Sequence, residues 1–138
     1  MATLDVRVQL VEGSTSLATG RGHAVVIDRP VDKGGTDLGF LGGELLLASE
    51  GGCFLSNLIA AARARDIALH RVNVVVRGMQ ADAPARFSEI ALEVEVDSDA
   101  PDDDVTKLIQ IAERGCIVSN TLQQGTALKI SRTGVMSR

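Results

Sequence analysis

The chain has 138 residues, of which 45 % are hydrophobic and 23 % are charged, and this predicts one globular domain, residues 1–138. Its formal net charge of −4 argues against nucleic acid and anionic membranes as partners, because both bind basic surfaces. The beginning of the sequence, MATLDVRVQL, lacks the basic and apolar regions of a secretory signal. No uncharged apolar stretch of about 18 residues occurs, so no membrane span is expected. Two cysteines are too few for a disulfide scaffold, so the predicted location is cytoplasmic.

The first part of the chain has the pattern of β-structure. Alternating polar and apolar residues predict a strand over 3–10, and the sequence Gly-Ser-Thr predicts a turn over 13–15. The apolar run HAVVID predicts a second strand over 23–28, which Arg29-Pro30 ends. A Gly-rich loop then leads to the first helix.

The first helix is predicted from about Glu44 to Arg65. It is apolar on nearly every face, which is typical of a buried central helix. Gly51 and Gly52 lie in its middle, where each glycine costs roughly 1 kcal/mol relative to alanine. We therefore expect this pair to serve close packing against a neighbouring helix, in a homodimer whose interface contains the helix.

The second half of the chain predicts two strands, a helix and a last strand, at 70–78, 86–97, 101–115 and 127–133. The acidic run Asp102-Asp103-Asp104 favours the N-terminus of the helix dipole, and Gly115 is a typical C-terminal stop. Strands, a helix, two strands, a helix and a strand follow in this order. This order predicts an α+β fold with antiparallel sheets rather than a βαβ repeat.

Cys53 and Cys116 are the two cysteines of the chain. Cys53 lies in the first predicted helix, and Cys116 follows the end of the second. Two such thiols are the minimum for a dithiol/disulfide cycle, in which a peroxide oxidises one thiol to a sulfenic acid and the other condenses with it. Two inert core cysteines are the alternative, since cysteine is among the most buried residue types.

Four segments resemble the OsmC/Ohr family of thiol-dependent hydroperoxide reductases, at residues 19–30, 42–54, 85–96 and 112–122. The two cysteine segments, GGELLLASEGGCF and AERGCIVSNTL, are specific as a pair. The chain departs from the family pattern where Gly42-Gly43 stands in place of Asn-Pro before Glu44. It departs again where Ile117 follows the second cysteine, a position at which well-defined Ohr sequences have proline.

The resemblance implies an intertwined homodimer with the long cysteine-bearing helices at its centre. It also implies reduction of small organic hydroperoxides, with Cys53 as the attacking thiolate and Cys116 as the resolving thiol. In the Ohr branch the reductant is a dithiol such as a lipoyl group. A dimeric binding protein of the same fold, with an apolar interface pocket and no peroxidase turnover, is the alternative function.

An attacking thiolate inside an apolar helix requires a nearby cation, because burial raises the pKa of a thiol. Arg21 is the first candidate by its place in the matched segment, and a surface charge in a turn is its alternative. Arg86 is the second candidate, since it precedes Phe87 in the matched strand. Arginine suits this task because it stays charged when desolvated.

Glu44 is the residue expected to hold that arginine. Nine residues separate it from Cys53, so in a continuous helix the two face opposite ways and lie roughly 13 Å apart along the axis. Glu44 would therefore serve the site of the partner subunit, or simply favour the helix dipole. Glu50, three residues before Cys53, could replace Glu44, weaken the activity or point to solvent.

His23 and His70 could in principle join the cysteines in a metal site. None of the four residues forms a closely spaced chelating pair, so we expect no metal and no cofactor. Ser119 and Asn120 are expected to satisfy backbone groups after Cys116.

Overall fold

The computed structural model describes residues 2–134 and has the α+β architecture with antiparallel sheets expected from the sequence. Its strands are β1 Arg7–Glu12, β2 Thr15–Gly20, β3 His23–Ile27, β4 Arg71–Asp82 and β5 Ala85–Asp97. Its helices are α1 Gly42–Ala64, α2 Asp102–Gly115 and α3 Ile117–Gln124, with a 3-10 turn at Val31–Lys33.

The chain forms two compact units. The first contains residues up to Gly51 together with Val74–Val94, and the second contains Gly52–Asn73 together with the chain from Glu95 onward. The boundary falls within α1, β4 and β5, so each of these elements contributes to both units. A single OsmC-type domain over 1–138 stays a prediction.

The N-terminal sheet of the first unit is an antiparallel meander in the order β1-β2-β3. Gly13-Ser14 makes the first turn, as expected, and Arg21-Gly22 makes the second with positive φ at both residues. Two positive φ angles are the requirement of the tight hairpin turn that matches strand twist. Strand β2 was not predicted, because the small residues of TSLATG give little apolar alternation.

A buried carboxylate organises the loop after β3. Asp28, 2 % exposed, accepts hydrogen bonds from the hydroxyls of Ser14, Thr15 and Thr36. It also accepts the backbone N–H groups of Arg29 and Leu38. These donors, Ser14 and Thr36 first, hold the pKa of Asp28 well below its ordinary value, so the side chain is a carboxylate that ties the loop to the sheet.

Glycines let the first half of α1 approach the β4–β5 hairpin closely. A Cβ on Gly51 would lie 2.8 Å from Cγ2 of Val76 on β4. A Cβ on Gly43 would lie 3.3 Å from the Phe87 ring on β5. The expected helix neighbour of Gly51 is therefore wrong, since its space is taken by a strand of the same chain. Gly52 has no atom within 4 Å of an added Cβ in the described part of the chain, and its surface is open.

Helix α1 is less buried in the single chain than its sequence predicts. It is long and apolar enough to cross a membrane by length and composition, a test that core helices of soluble proteins also pass. Only 33 % of its most apolar stretch is buried, and Leu46 and Ile59 are more than a third exposed. The prediction of a fully buried central helix therefore does not hold within one chain.

The second unit contains most of the buried apolar side chains. These are Phe54, Leu58, Ala61 and Ala62 of α1, Leu108 and Ala112 of α2, and Cys116. Helix α2 begins after Pro101 with the three predicted acids and ends at Gly115, as expected. Helix α3 was not predicted, because Ile117, Val118 and Thr121 are β-branched and its length is only eight residues.

The last strand predicted from the sequence, 127–133, is wrong for the single chain. Residues 125–134 are described without helix or strand, and Leu128 and Ile130 are 85 % and 91 % exposed. The segment alternates as a strand would, but a strand needs a neighbouring strand for its backbone hydrogen bonds. No described strand of this chain pairs with it.

Candidate active site

Cys53 lies in the middle of α1 and is half-buried. Cys116 is the single residue between α2 and α3 and is fully buried. No disulfide joins them. The structure brings their side chains together within the second unit, in hydrogen-bonding contact. Cys53 and Cys116 are 63 positions apart in the sequence, and their pairing in a disulfide cycle stays a prediction.

The beginning of α3 supplies hydrogen-bond donors to both sulfurs. Cys116 is the N-cap of α3, and its Sγ accepts the backbone N–H of Ser119 at 3.4 Å. The backbone N–H groups of Ile117 and Val118 donate to Cys53. The first N–H groups of a helix have no partner inside it and carry a partial positive charge. The first turn of α3 is therefore directed at the two thiols.

Ile117 has a backbone N–H group, which the proline found at this position in well-defined Ohr sequences lacks. Proline has no backbone N–H, so a proline after the second cysteine could not donate to Cys53. In this chain the position keeps its N–H, and that N–H lowers the pKa of the Cys53 thiol. The N–H group kept at Ile117 thus acts against the rise in the pKa of the Cys53 thiol.

The net effect of these surroundings is still to raise the pKa of Cys53. Burial is the largest cause, and the adjacent Cys116 acts in the same direction. The N–H groups of Val118 and Ile117 oppose both without overcoming them. A reactive thiolate at neutral pH consequently requires a further positive charge, as the sequence led us to expect.

Both candidate arginines are exposed and lie in the first unit. Arg21 forms the β2–β3 turn with a φ of 51°. Arg86 lies at the beginning of β5, where its Nη1 donates to the Pro84 carbonyl at 2.8 Å. An exposed position in a turn agrees with the alternative for Arg21, which is a surface charge. The role of Arg21 at the thiol stays a prediction.

The two glutamates differ in burial. Glu44 is exposed, and its Oε1 accepts the backbone N–H of Leu41 at 2.9 Å. The Leu41 carbonyl accepts the first hydrogen bond of α1, so Glu44 acts as the glutamate of a capping box. Glu50 is 3 % exposed, so the expectation that it could point to solvent is wrong. Its other two roles stay open.

The histidines are exposed and far from forming a chelate. His70 lies 3.0 Å from Asp99, which raises the pKa of the imidazole. Among residues 2–134, no group of three or more His, Cys, Asp or Glu side chains is placed to hold a metal ion.

A model of the OsmC-like protein family matches residues 34–131, which is more than half of the chain. The chain belongs to the OsmC-like family. A search of curated proteins gives no match.

Solved structures of OsmC-like proteins share the fold. An OsmC-like protein of Mycoplasma pneumoniae is 24 % identical over 90 % of this chain and 89 % of its own, with a TM-score of 0.80. The organic hydroperoxide resistance protein OhrB of Bacillus subtilis is 20 % identical over 90 % of this chain and 93 % of its own, with a TM-score of 0.60. An organic hydroperoxide resistance protein of Legionella pneumophila is 18 % identical over 89 % of this chain and 90 % of its own, with a TM-score of 0.61.

Two features of this OsmC-like site were missed in the sequence. One is the first turn of α3, whose N–H groups face the thiols. Gly125, which follows the helix, is a typical C-terminal stop and could have indicated where α3 ends. The other is Asn57, whose Nδ2 lies 3.8 Å from Cys53 Sγ. Asn57 follows Cys53 by four residues, a spacing that places two side chains on the same face of a helix. Asn120 behaves as expected, since its Nδ2 donates to the Arg114 carbonyl at 3.1 Å.

Proposed function

We propose that this OsmC-like protein is a cysteine-based peroxidase that reduces organic hydroperoxides through a Cys53/Cys116 dithiol-disulfide cycle. The contact between the two side chains at the first turn of α3 is the observation that supports this most strongly. Family membership and the likeness to organic hydroperoxide resistance proteins agree with it.

The reaction has two steps on the protein. The Cys53 thiolate attacks the distal peroxide oxygen, an S–O bond forms, the O–O bond breaks, and the alkoxide leaves as an alcohol after taking a proton. The Cys116 thiolate then attacks the sulfur of the Cys53 sulfenic acid, an S–S bond forms, the S–O bond breaks, and hydroxide leaves as water after taking a proton. An external dithiol, of lipoyl type, reduces the disulfide by exchange and is itself oxidised.

In this proposal Arg21 provides the cation that Cys53 lacks, and Glu44 holds the arginine. A cation is required because burial outweighs the N–H donors of α3. Arg86 and Glu50 are the substitutes to be tested for the same two roles. The reaction is assigned to the cytoplasm, where cellular reductants keep thiols reduced.

We also propose that the protein works as a homodimer with α1 in the interface. Apolar side chains of β1 and the C-terminal segment lie exposed, among them Val8, Leu10, Leu128 and Ile130. The open surface at Gly52 next to Cys53 gives a second chain room to approach. Sedimentation at micromolar concentration should show a dimer that Gly52→Leu converts to monomer, whereas a monomeric wild type would end this part of the proposal.

Thiol counting tests the peroxidase. Addition of one equivalent of an alkyl hydroperoxide to the reduced protein should consume both thiols and yield an intramolecular disulfide, identified by mass spectrometry after digestion. Hydrogen peroxide at the same concentration gives the comparison for substrate preference. Persistence of both thiols would favour a dimeric binding protein with an apolar interface pocket, which the raised pKa of Cys53 also supports. A ligand retained through purification, seen by native mass spectrometry, would identify that function.

A further inference from the structure

The side chain of Asn57 lies between the two cysteine-bearing segments of the second unit. Its Nδ2 donates to the Cys53 carbonyl at 2.9 Å and lies 3.8 Å from Cys53 Sγ. On the other side, its Oδ1 would lie 3.1 Å from a Cβ added to Gly115, the residue before Cys116. The amide therefore lies next to the sulfur of Cys53 and beside Gly115, the residue that precedes Cys116.

The contacts fix which way the amide points. The atom that faces the Cys53 carbonyl has to be the nitrogen, because a carbonyl oxygen only accepts hydrogen bonds. An amide nitrogen carries two hydrogens, so one can bond the carbonyl while the other is directed at the sulfur. Gly115 leaves the space that Oδ1 occupies, since any larger residue would place its Cβ at a closer distance than such contacts normally show.

We propose that Asn57 is a positioning residue for Cys53, donating a hydrogen bond to its sulfur and holding it towards the first turn of α3. A hydrogen bond from a neutral amide strengthens when the acceptor becomes an anion, so the contact favours the thiolate over the thiol. The same donor opposes rotation of the sulfur away from Cys116, the thiol with which it is to form a disulfide. Asn57 thus adds a side-chain donor to the backbone donors of Val118 and Ile117.

This inference deepens the proposed function, and its use in catalysis rests on that proposal. Its test does not need peroxide turnover. The rate of alkylation of Cys53 by iodoacetamide, measured against pH in a Cys116→Ser background, reports the reactivity and the pKa of one thiol. Serine suits position 116 because it is a favoured N-cap, so α3 keeps its beginning.

Asn57→Ala should slow alkylation at neutral pH by about 3- to 10-fold, the range for one lost hydrogen bond, and move the pH profile to higher pH. Asn57→Asp keeps the shape but replaces the donor by a carboxylate, so it should slow the reaction further. Asn120→Ala is the matched control, because the Asn120 amide bonds the Arg114 carbonyl. That variant should keep the profile of the background protein.

Gly115→Ala tests the same contact from its other side. The added Cβ should displace Oδ1 of Asn57 and slow alkylation while Asn57 itself is kept. Thermal unfolding of every variant separates a shifted thiol from a damaged fold, and Asn57→Asp serves if Asn57→Ala does not fold. Equal pH profiles for Asn57→Asp, Asn120→Ala and the background protein would overturn the proposal. Shifted profiles in a protein without peroxidase activity would keep the positioning role and remove only the proposed function.

Discussion

Asp28 and Cys53 are both acidic side chains that lie among hydrogen-bond donors, one in each compact unit. Asp28 accepts hydrogen bonds from three hydroxyls and two backbone N–H groups, and its pKa is lowered. Cys53 has two backbone N–H groups and the Asn57 amide as donors, and its pKa is raised. The effect of the donors on the pKa outweighs that of burial at Asp28 but not at Cys53.

The difference reflects what each group does. Asp28 is a permanent anion that organises the loop, so the fold satisfies it completely within one unit. In the proposed cycle Cys53 has to react, and a thiolate with every lone pair satisfied would be a poor nucleophile. Its surroundings are partly favourable, and the proposed cycle assigns the missing stabilisation to a cation. Four experiments test this contrast, in order of decreasing effect on Cys53.

Removal of either sulfur should have the largest effect. Cys53→Ser should abolish peroxide reduction, since a serine hydroxyl cannot form a sulfenic acid. Cys116→Ser should still allow one oxidation of Cys53 but stop the cycle, as followed by peroxide consumption and a sulfenic-acid probe. Labelling of the Cys53→Ser protein together with no labelling of Cys116→Ser would reverse the two roles.

Arg21→Ala should have the next largest effect. Loss of one preorganised charge partner raises a barrier by roughly 2–4 kcal/mol, which is about 30- to 1000-fold in rate. The expected cause is a higher pKa of Cys53, measured by the ultraviolet absorbance of the thiolate against pH. Arg86→Ala is the paired variant and should leave the titration unchanged. A raised pKa in Arg86→Ala alone would transfer the role to Arg86.

Ile117→Pro removes one donor of α3 with little change in shape. Proline is favoured at the first position of a helix, and the preceding Cys116 already has the extended conformation that proline requires, with φ −83° and ψ 114°. Loss of the N–H should slow alkylation of Cys53 by about 3- to 10-fold. Ile117→Ala keeps the N–H and is the control for the lost side chain. Equal rates in the two variants would show that the Ile117 donor does not act on the sulfur.

The sequence predicted the elements whose signals are local. The α1 pattern, the acids at 102–104 and Gly115 gave helices close to those observed, and the two cysteine segments gave the family. Strand β2 and helix α3 were missed because TSLATG has little alternation and IVSNTLQQ is short and rich in β-branched residues. The predicted strand at 127–133 failed because its pattern contains no information about which strand it pairs with.

Of the candidate site, the sequence predicted the two cysteines but not the donors around them. Cys53 and Cys116 were identified by residue type and surroundings, but the donors around them come from backbone geometry and from a helix that was not predicted. Asn57 could have been found from its spacing of four residues on α1. The raised pKa of Cys53 depends on burial in the folded chain. The apolar helix in the sequence indicated the direction of this shift.

Asp28→Asn should leave the Cys53 profile unchanged and act on stability instead. The lowered pKa of Asp28 means that its stabilisation is present above the unfolded-state pKa, near 3.8, and is lost as the pH falls below it. The variant should therefore unfold at a lower temperature than wild type at neutral pH, because an amide nitrogen would face hydroxyl and N–H donors. That difference should shrink as the pH falls below 3.8, where the wild-type carboxylate begins to lose its advantage.

Asp32→Asn, an exposed change in the same loop, is the matched control and should follow wild type throughout. A difference between Asp28→Asn and wild type that stays constant through the acid range would show that the charge of Asp28 contributes nothing. The contrast with Cys53 would then rest on the thiol alone.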